Sequence, residues 1–489
     1  MPLPAGSYRN AVNAFTIQSC INCYPVVPTK QAVADLSIFG TSGIKEVATT
    51  LNSLAGANRG GRVKGGKPYV LNGPDLYRID RAINDAGSQI YTPVLMGKVG
   101  GEGRAFFSDN GKQLIVICSG KGFIVDETLT PAFQQITAPG FTANGTPETV
   151  TFVDGFFLVT TSAKKIIRSN INDGLTWNAL NFGTAEADPD ELKAIVTLKN
   201  QPYAGGAKTI EMFRNISASG FSFQRVNGYV ISKGVFAPST FIAAADRIFF
   251  VGGGEMESPA IWALPPAGEP EKISTDAIDT QLQRMSAEDV SNAFAWTYSQ
   301  NGGYFVGFSF TDQCFVYDIA SGLWHDRESQ VLDSKGFVQI TRWRANCILT
   351  AYNSVFVADS QSGKIGELSP FLFREFDRAI RRAIITPPIS NQAQPFFISR
   401  VDAIMDQGRT ENSSASPILV ALSWSTDAIT WSNPIHAEVG EIGNFGENIS
   451  WNPIGRASRF TVLKFEFSAN APFALLRADM NVIQGNPIG

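Results

Sequence analysis

Short runs crowded with Val, Ile, Phe, Tyr and Thr, each closed by Gly, Asn or Asp, recur along most of the chain; residues 114–118, 247–251, 304–310, 314–318 and 354–359 are clear cases. Branched and aromatic side chains at this density suit a pleated backbone, and so few turn residues between runs predict antiparallel hairpins. Helical periodicity is scarce. Residues 188–198 and 275–291 carry it best, the second opening on Ser274 or Thr275 as an N-cap. The pattern predicts an all-β protein.

The hairpins repeat. Asp109-Asn110-Gly111 turns into one apolar strand and Gly120-Lys121-Gly122 into the next; Val153-Asp154-Gly155, Ala245-Asp246 and Asn301-Gly302-Gly303 introduce later copies of the scheme. A period of about 40–60 residues built from hairpins is the signature of propeller blades. One blade cannot bury both its faces, so neighbours must stack around an axis. A boundary falls near Pro387-Pro388, after which the strand-like runs 396–401, 417–424, 460–467 and 472–477 predict a small, self-contained antiparallel β-sandwich with a surface loop over 410–416. The expected organisation is an N-terminal segment (1–60) closing onto the body, a propeller-like domain (61–385) and a C-terminal β-sandwich (386–489).

Asn172-Asp173-Gly174-Leu175-Thr176-Trp177 and Thr426-Asp427-Ala428-Ile429-Thr430-Trp431 share a sharper motif. Both resemble the Asp-box hairpin of propellers, in which a carboxylate bonds the turn backbone and the indole packs beneath. Asp173, Gly174, Trp177, Asp427 and Trp431 are accordingly expected to be scaffold, with both tryptophans buried.

The 489 residues carry a net charge of −4, which offers no polybasic patch, so any DNA contact is expected to be weak. No run of 18 apolar residues predicts a membrane-spanning helix, and the first residues lack the basic and apolar regions of a signal peptide, so synthesis in the cytoplasm is expected. Five cysteines, an odd number, are expected to be thiols; Cys20-Ile21-Asn22-Cys23 lacks a second ligand pair for zinc. His325 and His436 are the only histidines, which leaves no inventory for a Ser-His-Asp or Cys-His site. His325, between Trp324 and Asp326, reads as a turn residue at a strand end. Gly100-Gly101-Glu102-Gly103 lacks the Lys-Ser/Thr sequel of a phosphate loop. Glu186, Asp188 and Asp190 could suggest a glycosidase pair, but sequence neighbours do not give the required separation, and a solvated turn capping a helix explains them more simply. No enzyme, cofactor or metal is expected. A glycan-active, sialidase-like propeller and a kelch-like protein-binding propeller are the alternatives that the hairpins leave open.

Three regions together resemble the tail hub or nozzle proteins of short-tailed bacteriophages (podoviruses), also called packaged-DNA stabilisation or head-completion tail accessory proteins. The first comprises Cys20-Ile21-Asn22-Cys23-Tyr24-Pro25-Val26, residues 36–43 and Leu76-Tyr77-Arg78-Ile79-Asp80. The second comprises residues 173–177, Phe182, residues 185–190 and Thr209-Ile210-Glu211. The third, and most specific, comprises residues 425–432, Gly440, Gly443 and residues 451–460. Ala428 stands where that family usually has Gly, and Asn452 and Pro453 where basic residues are common. The resemblance implies a virion structural protein without an active site. It implies a homo-oligomeric ring, a hexamer, seated on the portal-adaptor ring of the phage neck. Tail fibres, tailspikes or a needle would be further neighbours, and DNA would pass through the channel without tight binding.

Overall fold

The computed structural model describes residues 1–9, 17–28, 34–50, 57–185, 191–392, 394–407, 417–440, 443, 446, 449–457 and 459–484. Among these, the strands form a seven-bladed propeller followed by a two-layer sandwich. Blades 1 to 6 are antiparallel meanders over residues 58–98, 106–135, 147–184, 192–231, 242–272 and 294–326. Blade 7 takes three strands from residues 345–369 and its fourth strand, Gly43–Thr49, from the beginning of the chain; the short strands Arg374–Glu375 and Arg378–Ala379 continue the sheet beyond it. The innermost strands of successive blades adjoin, and Ala345–Ala351 of blade 7 lies beside Asn58–Lys64 of blade 1, which closes the ring.

The core is divided among the blade interfaces. Ile115, Phe157 and Trp177 pack between blades 2 and 3, Ile261 and Phe308 between blades 5 and 6, and Trp296 and Trp343 between blades 6 and 7. The other four interfaces hold apolar clusters of the same kind. This arrangement explains the continuous apolar runs. Leu114–Cys118 is buried along its whole length because both of its faces meet a neighbouring blade.

The sandwich stacks one sheet containing Arg382–Ile385, Phe460–Phe467, Leu419–Ser425 and Ile435–Glu438 on another containing Phe396–Met405, Ala474–Gln484 and Ile449–Trp451. It is not self-contained. Ser19–Ile21 pairs with Arg382–Ile385 and also, in parallel, with Leu323–Asp326 of blade 6, while Ser37–Gly40 pairs with the start of Ala474–Gln484. The N-terminal segment is thus shared between sandwich and blade 7, and the strand at 382–385 lies in the sandwich.

Two helical expectations change. Leu192–Leu198 is the innermost strand of blade 4, its alternate residues packed between blades, while residues 188–190 lie outside the described residues. The 275–291 segment is two helices, Asp276–Arg284 capped by Thr275 and Ala287–Ser291 capped by Ser286. Met285, in extended conformation, separates them. Glu186, Asp188, Asp190 and the loop 410–416 also lie outside the described residues.

Candidate functional site

The two Asp-box-like hairpins are built differently. In blade 3, Asn172 turns through a positive φ of 53°, Asp173 Oδ1 accepts the Leu175 N–H at 2.9 Å, and Trp177 Nε1 donates to Gly174 O at 2.7 Å. Trp177 is buried edge-on against Phe141. Gly174 approaches blade 2 so closely that a Cβ would lie 2.5 Å from Ile124 Cδ1. Its N–H donates to Gln113 Oε1 at 2.7 Å, and the Gln113 amide in turn holds Asp126 at 3.2 Å. The hairpin therefore staples blade 3 to blade 2 through a buried glutamine that no sequence motif marked.

In the sandwich, Asp427 Oδ1 accepts the N–H groups of Ile429 and Thr430 at 2.8 and 2.7 Å, and the hydroxyls of Thr430 and Ser425 also donate to its carboxylate. These bonds, led by that from Thr430, hold its carboxyl well below the usual carboxylate range. Ala428 occupies the left-handed region at φ 60°, where glycine would be unstrained. Trp431 is only half-buried, with Lys464 Nζ 4.9 Å above its ring, which corrects the expectation of burial. This hairpin has no neighbouring blade to cover it.

A channel of about 610 Å³ runs along the propeller axis, lined by Arg62, Arg104, Thr149, Thr151, Thr197 and Thr297 among others. The Thr151 and Thr197 hydroxyls bond across adjacent blades at 2.8 Å, and Arg62 is paired with Asp109 at 2.9 Å. Arg104, which precedes blade 2, reaches blade 7 to donate to Asn346 O at 2.9 Å and lies 3.8 Å from the Phe294 ring of blade 6. It thereby spans the mouth. The volume is that of a small-molecule pocket.

Several charged side chains are buried near the junction of propeller and sandwich. Arg327, fully buried, stacks 3.6 Å over Trp343 and donates to Tyr298 Oη at 3.1 Å. Trp343 Nε1 and Ser329 Oγ both donate to Glu375, at 2.7 and 2.6 Å, and burial pushes that carboxyl upward. Arg344 forks onto Asp359 at 2.8 and 2.7 Å. Arg381 bridges Glu328, beyond blade 6, and Glu466 in the sandwich at 2.8 and 2.5 Å. Asn22, the third residue of the Cys-x-x-Cys segment, donates to the carbonyls of Glu328 and Arg381 and accepts the Glu328 N–H. The segment's role here is thus to tie three strands together. Cys20 and Cys23 are buried thiols, as are the other three cysteines. Burial raises the Cys23 thiol above its ordinary value.

His325 is also interior. It sits within the strand Leu323–Asp326, fully buried between Phe305 and Tyr24, with no partner at either ring nitrogen; the turn expectation fails because the strand continues through it and those two rings cover it. Among the described residues no group of three or more His, Cys, Asp or Glu side chains could hold a metal ion, and no helix is long and apolar enough to cross a membrane.

No curated protein matches the sequence. Solved structures similar to the chain include the N-terminal domain of Nup159 (10% identity, TM-score 0.41, covering 70% of this chain and 97% of that one) and the WD40 β-propeller domain of Doa1 (10% identity, TM-score 0.39, covering 67% and 97%). The family description of the bacteriophage P22 Gp10 β-propeller matches residues 1–371, and that of the Gp10 β-sandwich matches residues 381–483. With propeller and sandwich matched in order and nearly end to end, the chain belongs to the bacteriophage P22 Gp10 family of phage structural proteins that stabilise packaged DNA.

Proposed function

We propose that this protein is a tail hub: copies arranged as a ring, a hexamer, seat on the portal-adaptor ring, retain the packaged genome and later conduct it outward. The observation that carries the reading is the pairing of propeller and sandwich in one chain of the Gp10 family. The axial channel adds a constraint. Arg104 spans it and its volume suits a small molecule, so the conduit would lie between copies around the ring axis. Heterologous contacts that close by rotation generate such rings. A net charge of −4 suits a wall past which phosphates must slide, because neutralising several of them would hold DNA tightly. Fibres, tailspikes or a needle would attach to the same ring, and the work is mechanical, with no catalysis.

The test is an amber mutant of the gene. Filled heads should appear transiently and emptied heads accumulate, and purified protein added to fresh filled heads should retain DNA and permit tail completion. Stable, filled, tailed particles defective only in degrading a surface glycan would overturn the reading, as would a virion reconstruction with a single copy on the axis.

A further inference from the structure

One cation in the axial channel has no counter-ion. Among the described residues three charged side chains line the channel, and two of them, Arg62 and Asp109, pair with each other. Arg104 is the third. Its Nη2 donates to Asn346 O, and among the described residues no carboxylate lies within ion-pair distance of it. Nε and Nη1 have no protein partner there either, and neither is covered, since the side chain is only partly buried.

Arg342 adds to the imbalance. It donates to Asn346 Oδ1 at 2.7 Å and lies 5.2 Å from the Phe294 ring, the same ring on which Arg104 stacks, and among the described residues it too lacks a carboxylate within ion-pair distance. At the outer mouth Lys164 and Lys193 are matched in number by Glu148 and Glu191, so that rim does not offset Arg104. Burial, reinforced by the charge of Arg342, lowers the Arg104 pKa to about 10, which leaves it a cation at neutral pH. A partly desolvated cation beside a second one, with donors left open, is stabilised by an anion that can enter.

The cavity sets which anion that is. Its volume of about 610 Å³ lies in the range of small-molecule sites, and the half-buried Phe106, Phe107 and Phe152 give it apolar wall. A guanidinium at one end of such a cavity is complementary to a carboxylate carried on a ring or short chain. We propose that the axial channel is a binding site for a small organic carboxylate, whose anionic end pairs with Arg104 at the mouth and whose apolar body lies against Phe106, Phe107 and Phe152. The site belongs to each propeller singly, so it holds whether or not the copies form a ring.

The test uses the full chain, with benzoate and its neutral counterpart benzamide as probes followed by ligand-observed NMR. Benzoate should bind about ten-fold or more tightly than benzamide, the preference given by one charge-assisted hydrogen bond. Arg104→Gln should remove that preference. A second variant plugs the cavity: Ala243 is exposed on the innermost strand of blade 5 and lines the channel, so Ala243→Phe fills open space and not core. It should abolish benzoate binding at an unchanged unfolding midpoint, and it decides alone if Arg104→Gln does not fold. Equal affinity for the two probes, binding of neither, or benzoate binding that survives Ala243→Phe would overturn the proposal. Displacement of benzoate by an equal concentration of inorganic phosphate would overturn it as well, because charge alone, and not the apolar wall, would then select the occupant.

Discussion

Acid should destabilise this protein through His325, and the size of the effect follows from its surroundings. The ring lies 5.5 Å from Phe305 and 5.9 Å from Tyr24, both nitrogens lack partners, and burial, reinforced by the charge of Arg327, pushes its pKa down to about 3. In the unfolded chain the imidazole titrates near its ordinary value of about 6.5. Between those two values the unfolded state binds a proton that the folded state refuses, so stability falls as pH falls through that window. Above it both states are neutral, and below it both are charged. One proton corresponds to about 1.4 kcal/mol per pH unit, or about 3 kcal/mol between pH 6.5 and 4. His325→Leu removes the titration while keeping an apolar group of similar size. Urea unfolding followed by far-UV circular dichroism at pH 7, 6, 5 and 4 should show the variant at least as stable as the wild type at pH 7, since two unmet nitrogens are gone. Its advantage should begin to grow near pH 6.5 and reach about 1.4 kcal/mol for each unit of acidity below pH 6. Curves that stay parallel from pH 7 to 4 would refute the reasoning, because they would mean that the folded imidazole accepts a proton as readily as the unfolded one.

The two motif tryptophans should separate: Trp177→Ala, which empties a blade interface, should cost about 3–5 kcal/mol, and half-buried Trp431→Ala only about 1–2 kcal/mol, as read from urea midpoints. Equal losses would show that the turn, and not its covering, sets the cost. Ala428→Gly should raise stability by up to about 1 kcal/mol, because relief of the left-handed φ outweighs the added freedom of the unfolded chain; a drop would mean the strain is absent. Gly307→Ala should destabilise by about 1–3 kcal/mol, because the new methyl would lie 2.0 Å from Trp296 Cζ2 between blades 6 and 7. Differential scanning calorimetry of that variant should show a lowered transition.

Much of the architecture is legible in the sequence because it is local. A hairpin such as Leu114–Cys118 with Lys121–Val125 needs only an apolar run, a tight turn and another run, and seven repetitions write a propeller. The Asp173 and Asp427 turns are equally local, since each carboxylate bonds N–H groups within three residues. What lies between distant segments is not legible. Nothing in Gly43–Thr49 announces that it finishes blade 7, and Ser19–Ile21 meets blade 6 through a single parallel pairing, Ile21 with Asp326. Gln113 looks like an ordinary strand-edge residue until Gly174 arrives beside it. His325 reads as a turn residue because Asp326 follows it, whereas the strand continues and Tyr24, far earlier in the chain, covers the ring. Leu192–Leu198 follows an acidic run of sequence that suggests a helix cap, yet it is drawn into the ring by packing on both sides.

The way the beginning of the chain is shared between two domains also sets a clock on biosynthesis. Gly43 finds its partner in Ser369, and Ile38 finds Leu475, so neither strand can be satisfied while those residues are still inside the ribosome. At about 5–20 residues per second, roughly 20–70 s pass before blade 7 can receive its fourth strand, and longer before the sandwich is complete. Throughout that interval the early blades stand as an open arc with unpaired edges, which favour pairing with the wrong chain. The last turn of synthesis, and not the first, decides whether a copy becomes competent to join a particle. Truncated or stalled chains would present an unclosed ring instead of a smaller finished one.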